Sequence, residues 1–201
     1  VLALTVDYGQ RAAERETASA RAICARLDVP HERLDLRWLG ALGGSALTSG
    51  SAMPHPANDQ LDSLEVTRES AKAVWVPNRN GVLINAAAAI AERRGAERVV
   101  VGFNSEEAAT FPDNSEAFLE AATAALRFST ANGVRVHCYT AAWDKRRIVA
   151  ELAGAMPEFP FELVWSCYEG GERACGSCES CKRLARALGG KRLARALGAR
   201  K

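Results

Sequence analysis

No apolar run in this sequence is long enough to cross a membrane. The longest uncharged apolar stretch, Val82 to Ala91, is too short and is interrupted by Asn85. The opening VLALTVDYGQR has no basic start and no small-residue cleavage site, and it runs directly into polar residues, so it does not read as a secretory signal. The expectation is a cytoplasmic protein with no membrane partner. Acidic residues are absent from the last stretch, 182–201, which holds eight Lys or Arg. Net charge is +2 over the chain, which leaves about −6 on residues 1–181. The body is therefore mildly acidic and the tail basic.

What is present suits a globular protein. A chain of 201 residues with 48% hydrophobic and 25% charged composition can build one packed core. Val1–Val6 is nearly all apolar, as a strand buried on both faces would be. Residues 12–27 have helical composition, and 31–36 read as a second strand. Residues 40–63 are rich in Gly, Ser, Pro and Asn and predict a long irregular loop. Val82–Arg94 reads as an Ala-rich buried helix, Glu97–Phe103 as a strand, and Ser115–Phe128 as a Ser-capped helix. Val134–Tyr139 is a further strand and Lys145–Ala155 a further helix. Alternation of strand and helix predicts an α/β fold with a mainly parallel sheet and flanking helices. The expected organisation is an α/β domain over 1–164, a cysteine segment over 165–182 and a basic tail over 183–201. KRLARALG occurs at 182–189 and again at 191–198. Two copies are too few for a solenoid and read as a duplicated helix end. Nucleic acid is not the expected partner, because basic tails bind polyanions without specificity.

Four of the six cysteines lie together, at Cys167, Cys175, Cys178 and Cys181. In a cytosolic setting such a cluster suggests metal before disulfides. The two short steps place successive sulfurs around one ion, and the longer one brings in the fourth. Zinc is favoured because four thiolates fill its tetrahedral shell; with no position left for water, its role would be structural. An iron–sulfur cluster and unligated thiols are the other readings. Cys24 and Cys138 stand apart and read as buried core thiols.

Three polar stretches sit where ligands bind in such sheets, beyond strand ends or at helix starts. In Asp7-Tyr8-Gly9-Gln10-Arg11, the Asp and Gln can read hydroxyl or amide groups and Arg11 can pair with phosphate or carboxylate. The same residues also read as a capped turn with a surface arginine. Pro77-Asn78-Arg79-Asn80-Gly81 opens a helix, where backbone N–H groups and Arg79 favour an anion; an Asn cap with an exposed Arg is the other reading. Asn104 and Asp113 follow the strongest strand and can recognise a heterocycle, although Asp113 can instead cap the helix near Ser115.

Together these stretches resemble the 7-cyano-7-deazaguanine synthase family. The resemblance runs through DYGQR at 7–11, GGSALT at 43–48, VPNRN at 76–80, FPD with Phe118 at 111–118, and WSCYEGGERACGSCESC at 165–181. It implies an adenine-nucleotide α-hydrolase-like fold related to N-type ATP pyrophosphatases. It further implies ATP-dependent conversion of 7-carboxy-7-deazaguanine and ammonia into the nitrile preQ0 in queuosine biosynthesis. Implied with this are Mg2+ accompanying ATP, one structural Zn2+ on Cys167, Cys175, Cys178 and Cys181, and a homodimer. Arg11 and Arg79 would contact phosphate or carboxylate, and Asp7, Gln10, Asn78, Asn104 and Asp113 would position nucleotide or deazaguanine. No protein general base is identified. The family's Ser-Gly-Gly-x-Asp-Ser phosphate loop, whose place is before Val1, does not occur in the sequence. Ala12 stands where the family carries His, and Arg146-Arg147 stand where it carries an acid after Lys145. Two rival functions are a related adenylating enzyme acting on a macromolecule and a non-catalytic zinc-stabilised binding paralogue.

Overall fold

A computed structural model of the protein describes residues 1–189. The second copy of KRLARALG and the residues that follow it lie outside the described residues. The chain forms two compact units. One comprises Val1–Val76 with the described residues from Val149 onward; the other is Pro77–Ile148. Among the described residues no helix is long and apolar enough to cross a membrane.

The first unit opens with a β–α–β arrangement. Strand β1 (Ala3–Asp7) pairs in parallel with β2 (His31–Asp35), in the register Ala3 to His31 through Asp7 to Asp35. Parallel neighbours need a crossover, and helix α1 (Ala13–Arg26) supplies it. The turn out of α1 places Asp28 in the left-handed region at φ 52°, a conformation Asp tolerates better than most residues. Only Asp7 of β1 is fully buried, so the expectation of a strand buried on both faces is corrected. In this two-stranded sheet both strands are edges, and each leaves part of its surface open.

The predicted irregular loop is also corrected. Helix α2 (Trp38–Ala41) begins it, a 3-10 turn lies at Asn58–Gln60, and α3 (Leu64–Val74) follows. Ser45, Ala46, Leu47, Met53 and Leu61 are buried, so this is a packed segment. Sequence periodicity misses α3 because its inner face is Thr67, Ser70, Ala71 and Val74, at helical spacing but only half apolar. The Thr67 hydroxyl satisfies itself by donating to the Ser63 carbonyl at 2.8 Å.

In the second unit α4 (Arg79–Arg93) leads to β3 (Arg98–Val100), and α5 (Ser105–Ala108) and α6 (Glu116–Ser129) lead to β4 (Arg135–His137). β3 and β4 pair in parallel, Val99 opposite Val136. β3 is shorter than its apolar run suggested, and its register continues only through the Val101 N–H to the His137 carbonyl at 2.9 Å. Ile84, Ala88 and Ala91 line one stripe of α4, and Leu119 and Leu126 one stripe of α6. Both meet Val99, Val134 and Val136 in a single core. Ser115 caps α6, its hydroxyl accepting from the Phe118 N–H at 3.2 Å. Helix α7 (Lys145–Ala155) returns the chain to the first unit, and α8 (Glu179–Ala187) follows the cysteines.

Leu126 is 2% exposed at the centre of the second core. Leu126→Ala is expected to destabilise the protein by roughly 2–5 kcal/mol through lost burial and a residual cavity. Urea unfolding of the pure variant measures this.

Candidate metal centre and polar clusters

The four clustered cysteines converge at the start of α8. Their sulfurs all lie within 4.8 Å of one another. A tetrahedral ion with metal–sulfur bonds near 2.3 Å holds its ligands about 3.8 Å apart, so a modest contraction closes this cluster on one ion. The backbone is already arranged for thiolates. The N–H groups of Glu169 and Cys175 both point to the Cys167 sulfur at 3.3 Å, and the Cys178 N–H points to the Cys175 sulfur at 3.3 Å. Hydrogen bonds of this kind favour the charged form. A hydrogen bond from the Cys181 thiol lowers Cys178 to about 5. Burial pushes Cys167 up to about 11, and donating to Cys178 pushes Cys181 up. Cys178 is thus pushed toward the thiolate and Cys167 and Cys181 away from it; a divalent ion is the partner that would let all four serve as thiolates. The donor set fits a single bound metal ion. The other two thiols behave differently: Cys24 is buried, while Cys138 is half-buried and points its sulfur at the Phe103 carbonyl, 3.4 Å away.

The segment carrying these ligands is bound to α1. Trp165 accepts nothing with its indole but donates it to the Cys167 carbonyl at 2.9 Å, and its main-chain N–H donates to the Ser19 hydroxyl at 3.1 Å. Arg15 lies over the Trp165 ring and donates to the Gly171 carbonyl at 2.9 Å. A Cβ on Gly170 would sit 2.0 Å from the main-chain oxygen of Arg11, so only glycine fits there.

At the end of β1 the DYGQR turn is locked by its own side chains. Gln10 donates to the Val6 carbonyl at 3.1 Å and to Glu16 at 2.8 Å, while its oxygen accepts the Tyr8 N–H at 2.9 Å. Buried Asp7 accepts the Gly9 N–H at 2.9 Å and pairs with Arg33 at 2.6 Å. Arg11 is not a surface arginine: its guanidinium donates to the Ser49 carbonyl at 2.7 Å, to Glu169 at 3.0 Å and to the Ser51 carbonyl.

The second unit gathers the other sequence-predicted residues. Asn78 occupies the cap position of α4, but at φ 52° its side chain caps nothing. A capping side chain needs extended backbone to reach the first turn; in the left-handed region Asn78 leans over Gly81, where a Cβ would meet its amide oxygen at 2.2 Å. Arg79 donates to Asn80 at 3.2 Å, and Asn80 donates to the Asp113 carbonyl at 3.3 Å. Asp113 does not cap α6, because Ser115 does. Burial raises the Asp113 pKa, against the opposing charge of Arg79. Asn104 is buried and caps α5 by accepting the Glu107 N–H at 3.2 Å.

Two residues of this cluster escaped the sequence reading. Glu107 pairs with Lys145 at 2.8 Å. Burial alone would raise Glu107, but the Lys145 charge and hydrogen bond, a hydrogen bond from Asn104 and the charge of Arg79 bring it below 4.5. Nothing in the spacing of 107 and 145 signals the pair; only the fold brings them together.

The fold and the centre define an α/β protein of parallel strands with a four-cysteine cluster that could hold a metal ion. A model of the family described as queuosine biosynthesis protein QueC matches residues 1–191, and the chain belongs to the QueC family. It is 50% identical over 186 residues to the 7-cyano-7-deazaguanine synthase of Desulforudis audaxviator, covering 92% of this chain and 84% of that protein. It is 49% identical over 188 residues to the 7-cyano-7-deazaguanine synthase of Desulforamulus reducens, covering 93% and 82%. The synthase of Methanosarcina mazei is 45% identical over 191 residues, covering 93% and 82%.

Cys178→Ser is expected to lower bound metal well below one ion per chain and to lower the melting temperature by several degrees, read by elemental analysis and thermal unfolding. In a second test, Lys145→Met should raise the Glu107 pKa. The stability that the ion pair contributes is present above the unfolded glutamate value and lost as pH falls through the lower folded value. The variant should therefore lose stability mainly above about pH 4.5 and converge with the parent in more acidic solution, measured by denaturant unfolding across pH.

Proposed function

We propose that the protein is an ATP-dependent 7-cyano-7-deazaguanine synthase that converts 7-carboxy-7-deazaguanine and ammonia into preQ0. The observation that carries this reading is 50% identity to a protein of that name along 92% of the chain. Within it, the fold is adenine-nucleotide α-hydrolase-like, the metal on Cys167, Cys175, Cys178 and Cys181 is a structural Zn2+, ATP arrives with Mg2+, and the protein works in the cytoplasm as a homodimer.

The chemistry sets what the residues must do. A carboxylate resists ammonia because oxide is a poor leaving group. When a carboxylate oxygen attacks the α-phosphorus of ATP, pyrophosphate leaves and an acyl adenylate forms. Ammonia attacks the acyl carbon, AMP leaves and an amide remains after a proton is lost. The amide oxygen then attacks the α-phosphorus of a second ATP, pyrophosphate leaves, and loss of AMP with the remaining amide protons gives the nitrile. Such a sequence requires phosphate charge to be neutralised, the heterocycle to be held and water to be excluded.

Arg79 suits the first task, standing at the start of α4 with its charge acting on Glu107 and Asp113. Arg11 has five N–H groups by its chemistry, of which the contacts to Ser49, Glu169 and Ser51 leave some for an anion. Asp113 suits the hydrogen-bond donor edge of a deazaguanine, with Asn78 and Asn104 alongside it in the chain's second unit. Asp7 and Gln10 contribute by fixing the turn that presents Arg11. Zinc, when bound, supplies a closed structural crosslink.

Mass spectrometry after incubation of protein expressed from its complete reading frame with 7-carboxy-7-deazaguanine, ammonium and MgATP should detect the nitrile, with AMP as coproduct. A folded, metal-loaded protein giving neither nitrile nor amide would sink the proposal. Light scattering at working concentration should give twice the chain mass.

A further inference from the structure

We infer that the metal-binding segment positions the Ser49–Ser51 stretch through Glu169 and Arg11, which makes Glu169 a positioning residue. The part of this that concerns catalysis rests on the synthase reading above; the part that concerns geometry does not.

The Ser49–Ser51 stretch belongs to a segment, residues 43–51, made almost wholly of Gly, Ala, Ser and Thr. Such residues offer little apolar surface, so main-chain hydrogen bonds must hold the segment in place. Arg11 supplies them. Its backbone N–H donates to the Leu47 carbonyl at 2.8 Å, and its guanidinium to the carbonyls of Ser49 and Ser51. A planar guanidinium can reach two main-chain acceptors only when its own plane is fixed. Glu169 fixes it, accepting from the Nη1 group at 3.0 Å, and it is the only carboxylate paired with Arg11 among the described contacts.

Glu169 is itself fixed by the cysteine loop. It lies two residues after Cys167, and its N–H points to the Cys167 sulfur at 3.3 Å. Gly170 then packs directly on the main-chain oxygen of Arg11, where any Cβ would collide. Side chain and main chain of Arg11 are thus both held by two consecutive residues of the metal loop. Further along, α8 pins the same region downstream: Arg183 donates to the Leu61 carbonyl at 2.8 Å, and Arg186 pairs with Asp62 at 2.8 Å. Residues 49–62 are thus tied, through Arg11 and α8, to a segment more than a hundred positions away in sequence.

The test uses the full metal-loaded protein and its Glu169→Ala and Glu169→Gln variants. Glutamine keeps a hydrogen-bond acceptor and removes the charge; alanine removes both. Metal content and global unfolding should match the parent in both variants. Amide hydrogen exchange across 45–53 should accelerate on the order of tenfold in Glu169→Ala and by less in Glu169→Gln. Unchanged exchange in Glu169→Ala, or loss of its metal, overturns the inference. The exchange readout decides it whether or not the protein makes nitrile. In active protein, Glu169→Ala should raise KM for ATP or for the carboxylate substrate on the order of tenfold, with kcat within about twofold and partial recovery in Glu169→Gln. Faster exchange with unaltered KM would overturn the catalytic part and leave the clamp standing.

Discussion

Four sulfurs within 4.8 Å of one another form the constraint on which the first unit depends. Thiolates at that spacing repel one another unless a cation lies among them, and the main-chain N–H groups aimed at Cys167 and Cys175 favour the charged form. From this point contacts run outward: to α1 through Trp165 and Arg15, to the turn after β1 through Gly170 and Glu169, and to the segment before α3 through Arg183 and Arg186. In a unit whose sheet has only two strands, a metal ion bound here would tie these elements together.

The second unit is held differently. Its core is apolar and continuous, with alanines on α4 allowing close approach to β3. Arg79, Glu107, Asp113 and Lys145 form an interacting charged group in the same unit. The two carboxyl groups respond in opposite senses: burial raises Asp113, while Lys145 and its hydrogen bonds outweigh burial at Glu107. A cluster of this kind drives its two carboxyl groups apart, Asp113 upward and Glu107 downward.

Much of this was legible in the sequence. The strands and α1, α4, α6 and α7 announce themselves through composition and spacing, α6 also through its Ser115 cap, and the four cysteines through spacing that few other uses require. The unread parts share a cause. Helix α3 hides because its buried face carries hydroxyls, and residues 43–62 look like open loop because their order comes from Arg11 and α8, both remote in sequence. Glu107 and Lys145 look like ordinary surface charges until the fold pairs them. Asn78 reads as a cap by composition, yet its backbone conformation turns the side chain toward Gly81. Local pattern reports local interactions; residues whose role is to hold something distant leave no periodic trace.

The division of the chain has a temporal consequence. Pro77–Ile148 is continuous, whereas its companion unit is assembled from both ends of the described chain. During synthesis the continuous unit can complete its core while the cysteines are still inside the ribosome. The earlier-made α1, the turn after β1 and the segment before α3 gain their contacts to the cysteine loop and α8 only after the continuous unit has been made. Closure of the divided unit is therefore a long-range event, made only after the local core of Pro77–Ile148 has become possible.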